Sequence, residues 1–137
     1  MKQVLVVDDD IELAHLLSIR LNRRLGEALD RVQVQVAEDP YEAMNLMAEN
    51  AFDLVLLDWH LQGLTGRQTL MIASRDFDRD PNLPEEWKQK AASVVVMSAS
   101  GKPQECVISG SRYFNYAGYV AKAEGLERIT NRVRECL

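Results

Sequence analysis

Four apolar residues in an unbroken row, Leu54 to Leu57, run straight into a carboxylate at Asp58. A strand with one wet face alternates apolar and polar residues, and an amphipathic helix needs a longer pattern, so neither accommodates this run. A strand buried on both faces does, and such strands belong to parallel sheets covered by helices on each side. Asp58 then stands at the carboxyl end of that strand, the edge at which open α/β sheets bind ligands.

The rest of the chain alternates short apolar runs with longer amphipathic ones, which predicts an α/β fold with a five-stranded parallel sheet. QVLVV (3–7) predicts the first strand, and Asp10 a helix cap before a face of Ile11, Ala14, Leu17, Leu21 and Leu25. RVQVQVA (31–37) alternates, as suits a wetter strand at the sheet edge. Asp39-Pro40 reads as cap and first residue of a second helix, with Ala43, Leu46 and Met47 inward and its end near Asn50. A third helix is expected from Gly66 to Arg75. Residues 76–92, charged and broken by Pro81 and Pro84, predict an insertion with one helical turn from Glu85. SVVVM (93–97) and GYVA (118–121) predict the last two strands, and Leu126, Ile129 and Val133 mark a closing helix.

A length of 137 residues predicts a single domain over 1–137. The net charge of −5, without a Lys/Arg run, argues against nucleic-acid binding and for a protein partner. The apolar runs are too short to span a bilayer, and MKQVLVVDDD leaves no room for a signal peptide, so a cytoplasmic location without membrane attachment is expected. The two cysteines, Cys106 and Cys136, lie far apart without a nearby His, which excludes the usual zinc spacings; in the expected cytoplasm they read as reduced packing residues, with a disulfide between them as the alternative.

Four strand ends carry polar residues that a core would reject: Asp8 with Asp9, Asp58, Ser98, and Lys122. Parallel strands about 4.8 Å apart bring these into one crevice, and Lys122, about 10 Å out, reaches it along its stem. Carboxylates this close either raise one another's pKa or recruit a cation, and for a cation the hard oxygen ligands favour Mg2+, with Mn2+ also suited. Such a set is equipped for phosphoryl transfer: Asp58 as carboxylate nucleophile, Ser98 and Lys122 as ligands of the phosphoryl oxygens.

VLVVDDD, DLVLLDWHLQGLTG, VVVMSAS and GYVAK together resemble the response-regulator receiver domains of bacterial two-component signalling, over essentially the whole chain. The resemblance implies a flavodoxin-like fold, doubly wound, with strand order 2-1-3-4-5 and helices on both faces. It implies Asp8 and Asp9 as metal-binding acids and Asp58 as a metal ligand and the phosphorylation site. It makes Ser98 and Tyr119 the switch pair, Lys122 the phosphate-binding lysine, and His60 the residue whose backbone carbonyl completes the metal site. A sensor histidine kinase or histidine phosphotransfer protein is the implied donor. The implied response alters the face of helix 4, strand 5 and helix 5, where a downstream protein or dimer mate would dock. Gln62 and Ala123 stand where the family usually has proline.

Two other readings compete. Asp-x-Asp after a strand also suits a haloacid-dehalogenase-like phosphatase with Asp8 as nucleophile, but that leaves Asp58 unexplained and requires an acidic pair beyond the lysine. A degenerate receiver serving as an unphosphorylated binding module is the third.

Overall fold

The computed structural model describes residues 2–28, 32–60, 92–99 and 114–137. The elements run β1 (Lys2–Val7), α1 (Ile11–Ala28), β2 (Val32–Ala37), α2 (Pro40–Glu49), β3 (Leu54–Asp58), β4 (Ala92–Ser98) and β5 (Phe114–Ala121). A 3-10 turn (Lys122–Glu124) then leads into α3 (Leu126–Cys136). The five strands form one sheet in the order β2-β1-β3-β4-β5, every neighbouring pair parallel. This is the doubly wound order expected from the sequence.

The unbroken apolar runs are explained by burial on both sides. Val55, Leu57, Val94 and Val96 pack on the face covered by α2 through Ala43 and Met47. Leu54, Leu56, Val95 and Met97 pack on the opposite face, against Ala14, Leu17 and Leu21 of α1 and Ile129 and Val133 of α3. Each fully buried Val or Leu contributes roughly 1.5–3 kcal/mol, so a single polar residue inside either run is strongly selected against by the fold. β2, at the edge, is only half-buried over most of its length, as its alternating sequence requires. Trp59 joins the α2-side core as a packing residue.

Local signals also resolve as expected. Asp10 Oδ1 accepts the Leu13 N–H at 3.2 Å, and Asp39 Oδ1 accepts the Glu42 N–H at 2.8 Å ahead of Pro40. Both are side-chain helix caps. Cys136 is a free thiol. No cis peptide occurs among the described residues, so the Lys122–Ala123 bond is trans.

Three boundaries differ from expectation. Ile11 is 44% exposed although it continues the stripe of Ala14, Leu17 and Leu21, because it opens α1 beyond the end of β1, where the sheet no longer lies beneath it. Ala92, read as the end of an insertion, is buried and begins β4 opposite Phe114. β5 begins at Phe114 rather than Gly118. It carries a bulge: Val94 pairs with Tyr116 but Val95 with Gly118, leaving Ala117 as the extra residue. Gly118 takes φ +134°, a conformation that side-chain-bearing residues rarely adopt. The expected helix at 66–75, the insertion up to residue 91, Cys106 and the Leu25 side chain lie outside the described residues.

Candidate functional site

Three adjacent strands end in acids or a hydroxyl at one edge of the sheet. Asp8 follows β1, Asp58 closes β3, and Ser98 closes β4; Lys122 follows β5 directly. Asp8 and Ser98 are fully buried, Asp58 is 3% exposed, and Asp9 lies at the surface. Ligand oxygens of Asp8, Asp9 and Asp58 lie within 4.8 Å of one another. The expected carboxylate cluster is therefore assembled.

The Lys122 side chain crosses the end of β4 to reach both buried acids. Its Nζ lies 2.9 Å from Asp8 Oδ2 and 3.1 Å from Asp58 Oδ2. The remaining oxygens take backbone donors two residues along the chain: Asp10 N–H donates to Asp8 Oδ1 at 2.9 Å, and His60 N–H donates to Asp58 Oδ1 at 3.1 Å. Both are Asx-type turns, which orient the carboxylates as the chain leaves each strand. The sequence reading missed the backbone N–H groups of Asp10 and His60. The signal for both was present: an aspartate at a strand end followed by a turn.

Electrostatics follow from burial and crowding. Burial pushes the Asp8 carboxyl from its ordinary 3.8 up to about 6; the Asp58 charge pushes the same way, while Lys122 and the Asp10 N–H oppose them. Burial alone lowers the Lys122 pKa, but its close pairing with Asp8 and the charges of Asp58 and Asp8 outweigh that effect and hold the ammonium above its ordinary value. Three carboxylates gather here and Lys122 pairs with two of them, so these four groups together carry net negative charge when all are ionised. Asp8 Oδ2 meets Lys122 as an ion pair but lacks an aligned hydrogen bond among the described residues. Negative charge, hard oxygen donors and that incompletely satisfied buried oxygen suit a divalent cation such as Mg2+ or Mn2+.

Ser98 and Tyr119 lie on the same sheet face. Ser98 pairs with Ala121, and Tyr119 pairs with Val96, two residues back along β4. Tyr119 is 39% exposed. The structure thus brings Asp8, Asp9, Asp58 and Lys122 together, sets Ser98 at the adjoining strand end, and places Tyr119 further down β5. The His60 side chain does not join the carboxylate group, and its backbone N–H faces Asp58.

A parallel sheet of this order, with an acid cluster and a lysine at its carboxyl edge, defines the receiver class of signalling proteins. The chain belongs to the response regulator receiver domain family, whose match extends over residues 4–134. It is a receiver domain of two-component signalling, a signalling fold rather than a conventional enzyme family. Over 79 residues it is 34% identical to the sensor histidine kinase AruS of Pseudomonas aeruginosa, a match covering 56% of this chain and 7% of that protein. The chain therefore spans only a small part of that kinase's length.

Solved structures share the fold. The chemotaxis response regulator CheY4 of Vibrio cholerae aligns with a TM-score of 0.70 at 20% identity, covering 100% of this chain and 99% of that one. The receiver domain of Francisella response regulator 1452 aligns at 0.68 and 22%, covering 99% and 96%. A Burkholderia pseudomallei response regulator, solved with a phosphorylated aspartic acid, calcium ion and citrate, aligns at 0.66 and 21%, covering 98% and 72%. Among the described residues no helix is long and apolar enough to cross a membrane.

Proposed function

We propose that the chain accepts a phosphoryl group on Asp58 from the phosphohistidine of a sensor histidine kinase or phosphotransfer protein, and that this charge remodels a protein-binding face. The observation that carries the reading is the Lys122 ammonium lying 3.1 Å from Asp58 and 2.9 Å from Asp8, which puts a nucleophilic carboxylate and a fixed cation at one spot. An Asp58 oxygen bonds to phosphorus as the phosphorus–nitrogen bond breaks and the imidazole departs. Lys122 neutralises a phosphoryl oxygen, and the Ser98 hydroxyl would donate to another.

Asp8, Asp9 and Asp58, with the His60 carbonyl implied by the family, are the residues that would hold Mg2+ or Mn2+. Bound there, the metal supplies charge neutralisation for the phosphoryl group. The Burkholderia pseudomallei relative, with its phosphorylated aspartic acid and calcium ion, supports this chemistry by likeness. Movement of Ser98 toward the phosphoryl group would be sensed by Tyr119 on the same face, so a downstream protein or dimer mate is expected beside Tyr119 and α3. A cytoplasmic site of action belongs to the same reading.

Incubation with acetyl phosphate and Mg2+, followed by intact-mass measurement, tests it. The expected result is one adduct of roughly 80 Da that forms with Mg2+ and fails to form in EDTA. A chain that stays unmodified while still binding a partner is the unphosphorylated binding module instead. Phosphate-ester turnover that survives Asp58→Ala and is lost with Asp8→Ala is the phosphatase.

Metal binding will also depend on pH with a defined sign. Asp8 must give up its proton to serve as a ligand, and that proton leaves at about pH 6. Mg2+ affinity, measured by calorimetry, is expected to be flat above neutrality and to fall by about tenfold per pH unit below 6.

A further inference from the structure

The bulge in β5 decides which way Tyr119 faces. Opposite the bulge, Val95 pairs with Gly118, Val96 with Tyr119 and Met97 with Val120. Val96 belongs to the core on the α2 side, whereas Met97 and Val120 belong to the core under α1 and α3. Tyr119 therefore takes the α2 side, where it is partly exposed, and Val120 is buried beneath α3. A one-residue slip that removed the bulge would exchange the two.

An extra residue in a strand has no ladder partner for its carbonyl, and a backbone carbonyl left unpaired in a packed region is costly. Arg132 of α3 fills that need. Its Nη2 donates to the Ala117 carbonyl at 3.0 Å, and Cys136 Sγ lies 3.8 Å from the same oxygen. The guanidinium occupies the space that a side chain at residue 118 would require: a Cβ there would collide with Nη2 and lie 2.8 Å from Cζ. Glycine is thus needed twice, for its positive φ and for this contact. Arg132 Nη1 lies 3.5 Å from Glu135, while Nε is buried without a hydrogen-bond partner among the described residues. The guanidinium thus remains over the bulge with only part of its donor capacity satisfied. Tyr119, Val120 and Arg132 also line a common open cleft of about 390 Å3.

We propose that Arg132 is a positioning residue for Tyr119: seated on Gly118 and bonded to Ala117, it holds β5 in the bulged register that turns Tyr119 away from the α3 core. The relevance to signalling rests on reading Tyr119 as the responsive aromatic, but the positioning itself does not.

The test uses the full chain with 3-fluorotyrosine, its resonances assigned by single Tyr→Phe substitutions. In Arg132→Met the Tyr119 fluorine shift and solvent exposure are expected to change in the resting protein, while Tyr41, on α2, stays put. Arg132→Lys, which retains a donor but cannot cover Gly118, is expected to fall between wild type and Arg132→Met. Should Arg132→Met not fold, the lysine variant carries the same comparison. Phosphoryl uptake from acetyl phosphate with Mg2+ should remain within about twofold of wild type, because the contacts of Arg132 among the described residues are with Ala117, Gly118 and Glu135 and not with Asp8, Asp9 or Asp58. A Tyr119 signal identical in wild type and both variants overturns the proposal. Adding acetyl phosphate then tests the switch reading separately: it fails if wild-type Tyr119 does not move when the mass adduct forms, whatever Arg132 does.

Discussion

Asp58→Asn is expected to leave the chain folded and to abolish phosphoryl uptake from acetyl phosphate altogether, as read by intact mass. The amide retains an oxygen that can accept the His60 N–H now held at 3.1 Å by Asp58 Oδ1, so the turn after β3 survives. An amide oxygen has no carboxylate charge to offer phosphorus, so the nucleophile is lost without loss of shape. Stability should change by no more than about 1 kcal/mol, since loss of the Lys122–Asp58 ion pair is offset by relief of carboxylate repulsion. Removing the Asp58 charge also removes one of the influences that raise the Asp8 pKa, which should fall below about 6. A carbon-detected titration of Asp8 reads that shift directly.

Lys122→Met should produce the second-largest effect, in two opposite directions. Uptake of the phosphoryl group is expected to slow by about 100- to 1,000-fold, the typical loss when a preorganised charge stabiliser is removed. Mg2+ affinity above neutral pH is expected to rise, because the ammonium 2.9 Å from Asp8 and 3.1 Å from Asp58 competes with any metal for those oxygens. A variant that binds metal more tightly and reacts more slowly separates the two duties of the site. A simple loss of structure would weaken both.

The same substitution alters the pH dependence of stability. The Asp8 carboxyl is raised in the folded chain, so the native state holds its proton more tightly than the unfolded state does. Stability therefore falls as pH rises from about 3.8 to about 6 and is insensitive to Asp8 above that window. Without Lys122, which lowers the Asp8 pKa, the window should extend to higher pH. The Lys122 pKa is itself raised, so its contribution is complete below its ordinary 10.5 and is lost as pH climbs through the higher folded value. That alkaline component should be absent from the methionine variant. Denaturant midpoints between pH 3 and 12 read both limbs.

Much of this arrangement was legible in the sequence because it depends on patterns over a few residues. Leu54–Leu57 could only be a strand covered on both faces, and a carboxylate after it had to stand where the cover stops. Asp10 and Asp39-Pro40 announced helix starts through side-chain capping, a strictly local interaction. The grouping of Asp8, Asp9, Asp58 and Lys122 followed once parallel strands were laid side by side.

The parts that escaped are those fixed by distant contacts. The bulge at Ala117 breaks the period-2 pattern of FNYAGYVA, so β5 was read as starting at Gly118; what sustains the bulge is Arg132, fourteen residues beyond that glycine. Ile11 fits the helical stripe perfectly well, but periodicity does not reveal where the underlying sheet ends. The Asp10 and His60 backbone donors escaped because the sequence identifies the acids but not which N–H groups turn back onto them.

Residence of the phosphoryl group on the Asp58 carboxylate has a direct chemical test. Treating the acetyl phosphate adduct with borohydride reduces an acyl phosphate to the alcohol, converting the modified aspartate to homoserine, and peptide sequencing by mass spectrometry locates it. The expected result is homoserine at position 58 alone, formed only in samples that carried the adduct. Homoserine at position 8 or 9, or an adduct that resists reduction because it sits on a histidine or a hydroxyl, would contradict the account.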